Sequence, residues 1–317
     1  MIDIIIPCYN SHDTLKNTLF SIMYQVNVSD VNVYLIDDCS EVDYTDEVNM
    51  FKNYFNIKQI RLEKNSGPGT ARKVGLRESN APYITFIDSD DSFASPIALL
   101  LLYNAIKEDD YDLVISKTYE ETCNNVLEKG HNTIWVHGKL YSRKFLSEHN
   151  ITFNDTRANE DNGFNQLICL LNPRIKHIDY FTYIWRYNDV SITRSNNFDY
   201  AYSGLVGYAY NMVWALESAS KYDYNVIKFS ELSYAVMMAL YYYYVIYSEK
   251  DGVEELAEYA SKLKRLYELN PISEDRCQQI RESQFDTVYK DKGNRRALLN
   301  PCMTLNDFIK KIEVIKW

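Results

Sequence analysis

Glycine is scarce in this chain: ten in 317 residues, less than half the roughly 7% share usual in globular proteins. Its placement should therefore mark where the backbone needs it, and three of the ten (Gly67, Gly69, Gly75) fall within nine residues. The six cysteines (Cys8, Cys39, Cys123, Cys169, Cys277, Cys302) are scattered and form no C-x-x-C pair. That disfavours a disulfide framework and a zinc cluster, and the thiols are expected to be reduced. Long apolar runs are also missing. The longest, Ala235 to Tyr247, has thirteen residues, five of them tyrosine, against the ~20 needed to span a bilayer. It reads as a buried or interfacial helix. The opening Met1-Ile2-Asp3-Ile4 has neither a basic n-region nor a small-residue cleavage site, so no secretory signal is read. The expectation is a cytoplasmic protein without a transmembrane segment, at the inner membrane surface or in a host cytoplasm if viral.

Positive charge is short as well: 34 Lys plus Arg face 44 Asp plus Glu, a net charge of -10. Residues 1–200 hold 19 basic and 28 acidic side chains (net -9), and residues 201–317 hold 15 and 16 (net -1). An acidic front half argues against broad polyanion binding there. It suits a site that collects a divalent cation with carboxylates. At 46% hydrophobic and 25% charged the chain is a globular protein of one large domain or two ordinary ones.

Ile2-Asp3-Ile4-Ile5-Ile6-Pro7 is short, apolar and β-branched, a buried strand running into a loop. Leu15, Leu19, Ile22 and Met23 follow at helical spacing, with Ser11 or Asp13 as N-cap. The alternation repeats: a strand at 31–36, a helix near 43–53, a strand at 57–62, a helix at 70–78 and a strand at 83–87. This predicts βαβ units in a mostly parallel sheet, with ligands beyond the carboxyl ends of the strands. A helix near 96–109 and a strand at 113–116 come next, then irregular segments around 133–136, 141–148 and 164–171. From about 200 the chain reads as helical, and the boundary is placed in the Ser195-Asn196-Asn197 loop, giving units 1–198 and 199–317.

Asp88-Ser89-Asp90-Asp91 directly follows an apolar strand, where a D-x-D can hold Mn²⁺ or Mg²⁺ between protein and phosphate oxygens; a helix cap is the plainer alternative. Asp37-Asp38 ends the second strand in the same way and could accept the N3–H of a uracil ring or cap the next helix. Asn65-Ser66-Gly67-Pro68-Gly69-Thr70-Ala71-Arg72 leads into a helix whose N-terminus, with Arg72, favours an anion such as pyrophosphate. It is not G-x-G-x-x-G, so a nicotinamide enzyme is disfavoured. Residues 201–317 hold 14 of the 28 tyrosines, including Tyr241 to Tyr244. These read as core filler first, and as a sugar-stacking platform or an interface between copies second. Residues 287–317 carry seven basic and three acidic side chains, a solvated face that could also meet a phosphate-bearing acceptor.

Taken together, these segments resemble the family 2 glycosyltransferases of GT-A fold over roughly residues 1–195. Ile6-Pro7-Cys8-Tyr9-Asn10 looks like the first-strand signature, Ile36 to Ser40 the nucleotide-base turn, Asn65 to Gly75 the Asn-x-Gly…Ala-Arg loop, and Phe86 to Asp91 the metal motif. His137 to Tyr141 and Asn159 to Phe164 resemble the acceptor-side segment and the Glu-Asp motif. Trp185-Arg186 with Ser191-Ile192-Thr193 resembles the segment closing over the donor pyrophosphate.

The resemblance implies an α/β protein: a GT-A Rossmann-like, mostly parallel sheet flanked by helices, followed by an α-helical C-terminal region. It implies inverting, metal-dependent transfer of a sugar from a UDP-sugar to an acceptor hydroxyl of a glycan or polyol-phosphate chain, such as a cell-surface polysaccharide or teichoic-type polymer. Asp161 would be the general base, with Glu160 the alternative, and Glu160 would otherwise position it or the acceptor. Asp90 and Asp88 would hold Mn²⁺ or Mg²⁺. Pro7, Tyr9, Asn10, Asp37, Asp38, Asn65, Gly67, Arg72, Asp88, Ser89, Arg186 and Ser191 would contact the nucleotide sugar. Cys39 stands where the family has Gly, Lys73 where it has Asn, and no histidine ligand is identifiable. Alternatives are a phage-type enzyme acting on a hydroxymethylated base in DNA, a nucleotidyltransferase, and a non-catalytic nucleotide-sugar or glycan binder. The C-terminal helices could also pair copies of the chain.

Overall fold

The computed structural model describes residues 1–27, 30–188, 198–248, 254–290 and 294–315. The chain divides into two compact units, Met1–Ala201 and Tyr202–Trp317.

The first unit opens as strand–helix alternation: β1 (Ile2–Cys8), α1 (His12–Met23), β2 (Val31–Asp37), α2 (Thr45–Phe51), β3 (Asn56–Arg61), α3 (Pro68–Glu78) and β4 (Tyr83–Phe86). Then come β5 (Ser92–Phe93), α4 (Ala98–Lys107), β6 (Leu113–Glu121), β7 (Val126–Lys129), β8 (Lys139–Ser142), α5 (Arg143–Glu148), α6 (Glu160–Leu170) and β9 (Ile175–Trp185). One sheet runs β3-β2-β1-β4-β8-β6-β9-β5, with β7 paired to β6.

β1 is central because it is apolar on both faces: Ile2, Ile4, Ile5 and Ile6 are all buried, as a parallel strand covered by helices requires. It pairs in parallel with β2 and β4. β3 carries Asn56, Lys58 and Arg61 and lies at the edge, where polar residues guard unpaired backbone. Leu15, Leu19 and Ile22 are fully buried, the stripe that the helical spacing predicts for α1.

The sheet is parallel over β3-β2-β1-β4 and mixed beyond. β8 is inserted antiparallel between β4 and β6, while β6 and β9 pair in parallel. The irregular stretch after residue 113 thus resolves. The strand expected at 113–116 extends to Glu121. Residues 133–136 are loop, 141–148 fall in β8 and α5, and 164–171 belong mainly to α6. The carboxyl ends of β1, β2 and β4 deliver Tyr9-Asn10, Asp37-Asp38 and Asp88 to the same sheet edge.

The helices beyond this sheet are α7 (Phe198–Ala219), α8 (Val226–Ile246), α9 (Glu254–Glu268), α10 (Glu274–Tyr289), α11 (Arg295–Leu299) and α12 (Leu305–Val314). α8 is apolar nearly all round and is the buried helix of the second unit. Part of its tyrosine run acts as core: Tyr241 and Tyr244 are buried against Phe308, while Tyr242 and Tyr243 are half-buried. Tyr241 and Tyr242 donate to the Met303 and Arg281 carbonyls at 3.1 and 3.2 Å, and Lys311 donates to the Tyr244 hydroxyl. Among the described residues, no helix is long and apolar enough to cross a membrane.

Candidate functional site

At the ends of β1 and β2 the predicted base-turn residues hold one another. Asp37 is fully buried; its Oδ1 accepts the Ser40 amide at 2.8 Å and its Oδ2 accepts Arg61 at 2.7 Å. Cys39, in the family's glycine position, has φ 65°, the left-handed region that glycine enters freely. Asn10 closes the turn from the other strand: its amide donates to Ser40 Oγ and its Oδ1 accepts the Glu41 amide, both at 2.9 Å. Pro7 is half-buried at the end of β1, and Tyr9 beside it is exposed.

Asp38 reaches across to the glycine loop. Its two oxygens accept the Ser66 and Gly67 amides, each at 2.7 Å. Burial raises this carboxyl, and the two amides oppose the shift. Gly67 has φ 91°, which calls for glycine. A Cβ on Gly69 would lie 2.8 Å from the Asn154 carbonyl and 2.9 Å from Glu160 Cγ. The sequence suggested that these glycines admit a ligand; in the structure the close approach is to the chain's own 154–160 segment. Asn65 is tied to that segment too, its carbonyl accepting Arg157 at 2.8 Å.

Arg72, on the first turns of α3, is buried. One terminal nitrogen donates to Glu160 Oε1 at 2.5 Å and the other to Asp88 Oδ1 at 2.6 Å. The residue expected to meet pyrophosphate thus joins the metal motif to the Glu-Asp motif. Its Nε is buried without a partner among the described residues. Burial would push the Asp88 carboxyl up, but Arg72 and then His137 hold it well below the usual carboxylate range.

His137 is the member of this cluster that sequence reading missed. Its Nε2 lies 3.2 Å from Asp88 Oδ2 and 4.0 Å from Asp91 Oδ2, and its ring stacks on Tyr183 at 4.6 Å. Burial disfavours the imidazolium, yet Asp88 and Asp91 draw its pKa above the ordinary value. The sequence places it only in the His137 to Tyr141 segment that resembles the family's acceptor side, with no ligand role. Asp88, Asp91 and His137 offer one ligand atom each, all within 4.8 Å of one another.

Asp91 is buried and committed: Tyr183 donates to Oδ2 at 2.6 Å and the Arg186 amide to Oδ1 at 2.8 Å. Burial pushes its carboxyl up to about 8. Asp90 is half-buried and accepts Asn188 Nδ2 at 2.9 Å. Burial, then Asp88, raises it. Ser89 neighbours the Cys8 thiol. The Arg186 guanidinium donates to Ser92 Oγ at 3.1 Å and to Glu121 at 2.7 Å. Ser191 lies outside the described residues.

α6 begins abruptly, with Asn159 at φ 60° as its N-cap, so Glu160 and Asp161 occupy the first turn. Glu160 is buried on Arg72, and burial, opposed by that guanidinium, sets its carboxyl at about 7. Asp161 is half-buried; its Oδ1 accepts the Asn162 amide at 2.8 Å. Burial raises it as well, against the pull of Arg72 and His137. The Asn165 side chain donates to both the Asp161 and Ile134 carbonyls, at 3.0 and 2.9 Å, fixing the 131–138 loop to α6. Lys139, wholly buried under that loop, donates to Asn132 Oδ1 at 3.3 Å, to the His137 carbonyl at 3.4 Å and to the Trp135 carbonyl. Burial pulls its ammonium down to about 7.

The site residues therefore form two adjoining groups. One is the turn of Asn10, Asp37, Asp38, Asn65 and Gly67; the other is the charged interior of Arg72, Asp88, His137, Glu160 and Asp161.

Residues 3–161 match the family model of glycosyl transferase family 2. The chain is 32% identical over 192 residues to the poly(ribitol-phosphate) beta-glucosyltransferase of Bacillus spizizenii, covering 55% of this chain and 30% of that protein. It is 28% identical over 339 residues to the minor teichoic acid biosynthesis protein GgaA of Bacillus subtilis, covering 95% of this chain and 74% of that one. The chain thus spans under a third of the first relative and most of the second. In structure it is similar to Staphylococcus aureus TarS 1-349 in complex with UDP-GlcNAc, with a TM-score of 0.67 at 19% identity, covering 93% of this chain and 88% of that one. The likeness shows the same fold.

Proposed function

Since this chain belongs to glycosyl transferase family 2, we propose that it moves a sugar from a UDP-sugar to a hydroxyl of a polyol-phosphate chain of teichoic type, inverting the anomeric centre in one displacement. The observation that carries the reading is the division of labour between the two carboxylates that open α6. Glu160 is locked onto Arg72. Asp161 stands half-buried beside it, its carboxylate hydrogen-bonded through Oδ1 alone among the described residues.

Asp161 takes the proton of the attacking hydroxyl. A carboxyl raised by burial is the stronger base for that task near neutral pH. Glu160 does not touch the reacting atoms; through Arg72 it fixes the first turn of α6 relative to Asp88. The turn of Asn10, Asp37 and Asp38 with the Asn65–Gly67 loop forms the wall for the nucleotide base and ribose. Pro7, Tyr9 and Ser89 flank it. Arg186 and Ser191 assist the departing diphosphate.

Carboxylate oxygens with one imidazole are a donor set that accepts Mn²⁺ or Mg²⁺ completed by phosphate oxygens. Asp88 and Asp90 would hold the ion; Asp88 lies with Asp91 and His137 in a group whose ligand atoms are all within 4.8 Å of one another, so these two could complete the set. When bound, a divalent ion there offsets the charge growing on the diphosphate.

The acceptor reading is supported by the relatives, whose names specify poly(ribitol phosphate) and teichoic acid, and the donor reading by the UDP-GlcNAc of the structural neighbour. The test is UDP release from UDP-glucose and UDP-GlcNAc with Mn²⁺ or Mg²⁺, against poly(ribitol phosphate), poly(glycerol phosphate) and hydroxymethylated DNA. Release stimulated by a polyol phosphate is the expected result. Stimulation by DNA alone would overturn it.

A further inference from the structure

A single exposed aromatic side chain is ordinary on a protein surface, but Trp135 is held in an unusual way. Its indole is 38% exposed, while its backbone is fixed at both ends. Its amide donates to Asn132 Oδ1 at 3.1 Å, and its carbonyl accepts the fully buried Lys139 ammonium. The same ammonium also holds Asn132 Oδ1. A buried ammonium is a costly way to fix a surface loop, and here it fixes the residues on either side of an exposed ring.

The ring is placed beside the charged interior. Its centroid is 5.5 Å from Trp185 and 6.3 Å from His137, whose Nε2 lies 3.2 Å from Asp88. The preceding residue, Ile134, shares the Asn165 amide with Asp161, so the ring is registered to the base rather than to the nucleotide turn on β1 and β2.

We propose that Trp135 is the acceptor platform of the transfer site: its indole stacks on the C–H face of the acceptor polyol unit and turns the attacking hydroxyl toward Asp161. Aromatic rings backed by a few fixed polar groups are what hydroxyl-rich ligands meet in binding clefts. A platform tied to a rigid element beneath it meets the requirement that such a site be preorganised. Lys139 is then a positioning residue acting through Trp135. The proposal rests on the polyol-phosphate reading given above.

The experiment is steady-state transfer to poly(ribitol phosphate) by the full chain with Mn²⁺, varying donor and acceptor separately, with calorimetry of polymer binding in the presence of UDP. Trp135→Ala, at an exposed position, should raise the acceptor KM and weaken polymer binding by roughly 10- to 50-fold, the scale of an aromatic anchor. The donor KM should move less than ~2-fold, and Trp135→Phe should recover most of the loss. A rise in donor KM instead, or wild-type acceptor binding in Trp135→Ala, would overturn the proposal while leaving the polyol-phosphate reading intact. If the wild-type chain itself neither binds nor modifies the polymer, the reading falls and takes this inference with it. Lys139→Met should reproduce the acceptor defect. A Lys139→Met protein that folds and keeps the wild-type acceptor KM would remove Lys139 from the positioning role.

Discussion

Arg72 donates to Glu160 at 2.5 Å across 88 residues of sequence, and both side chains are buried. Each is the other's counter-charge, and removing either leaves a charge in the interior. Arg72→Met should therefore destabilise the protein by about 3–5 kcal/mol, read from urea unfolding. The double variant Arg72→Met with Glu160→Gln should recover part of the loss. A single-variant loss below ~1 kcal/mol would show that the pair is replaceable.

The two α6 carboxylates should separate cleanly in kinetics. Asp161→Asn is expected to lose transfer by roughly 10²–10⁴-fold, the share of a general base, while keeping its affinity for UDP-sugar and its melting temperature. Glu160→Gln should lower activity together with stability, because it weakens the hold of Arg72. Unchanged turnover in Asp161→Asn would move the base elsewhere.

Much of this was legible in the sequence, and for identifiable reasons. The β1 to β4 half follows local rules: β-branched runs, helical spacing and polar strand ends all fall in order, and the structure repeats them. The βαβ alternation alone predicts that the polar ends of these strands share one edge. What was not legible depends on pairing at a distance. Nothing near His137 in the chain announces Asp88, because β8 enters antiparallel beside β4 and carries the preceding loop with it. A helix N-terminus with Arg72 beside it suggests an anion site, and only the fold supplies the two carboxylates that hold Arg72 in the interior. The tyrosine run was ambiguous for a similar reason: whether a ring is core or platform depends on which helices cover it.

Metal dependence gives a third check. Chelation should stop transfer and added Mn²⁺ or Mg²⁺ restore it. Asp90→Ala should abolish metal-dependent UDP binding in calorimetry, and His137→Ala should weaken it by roughly 10-fold, within the range of groups that orient a metal site. Wild-type UDP affinity in Asp90→Ala with Mn²⁺ present would contradict the assignment.

Asp91 links stability to pH. Burial raises its carboxyl from 3.8 to about 8 in the folded protein, so between those values the folded chain holds a proton that the unfolded chain has released. Its contribution to stability is therefore greatest below pH 3.8 and is lost as the pH rises toward 8. Asn does not ionise; its Oδ1 can accept the Arg186 amide while its Nδ2 donates to the Tyr183 hydroxyl. In metal-free protein, wild type should lose stability relative to Asp91→Asn as the pH is raised across that window. Parallel stability profiles for the two proteins would refute it.

Cys39 offers a test free of catalysis. At φ 65° a side chain is strained where glycine is not. Cys39→Gly should be neutral or stabilise by up to ~1 kcal/mol after the loss of unfolded-chain restriction, read as a shift in urea midpoint. A loss above ~1 kcal/mol would mean the thiol's contact with the Glu63 carbonyl outweighs the strain.

The parallel pairing of β6 with β9, Leu113 against Ile175, bears on how the molecule assembles. Chain that must travel far before it pairs delays folding, and here that travelling segment carries β8, the 131–138 loop and α6. The first four strands have only short crossovers to close. An early intermediate would therefore hold Asn10, Asp37, Asp38 and the 65–67 loop, with Arg72 paired to Asp88 alone, before His137, Glu160 and Asp161 arrive. On the proposed assignment, a nascent chain would gain the shape of the donor side before it gains the residues assigned to transfer.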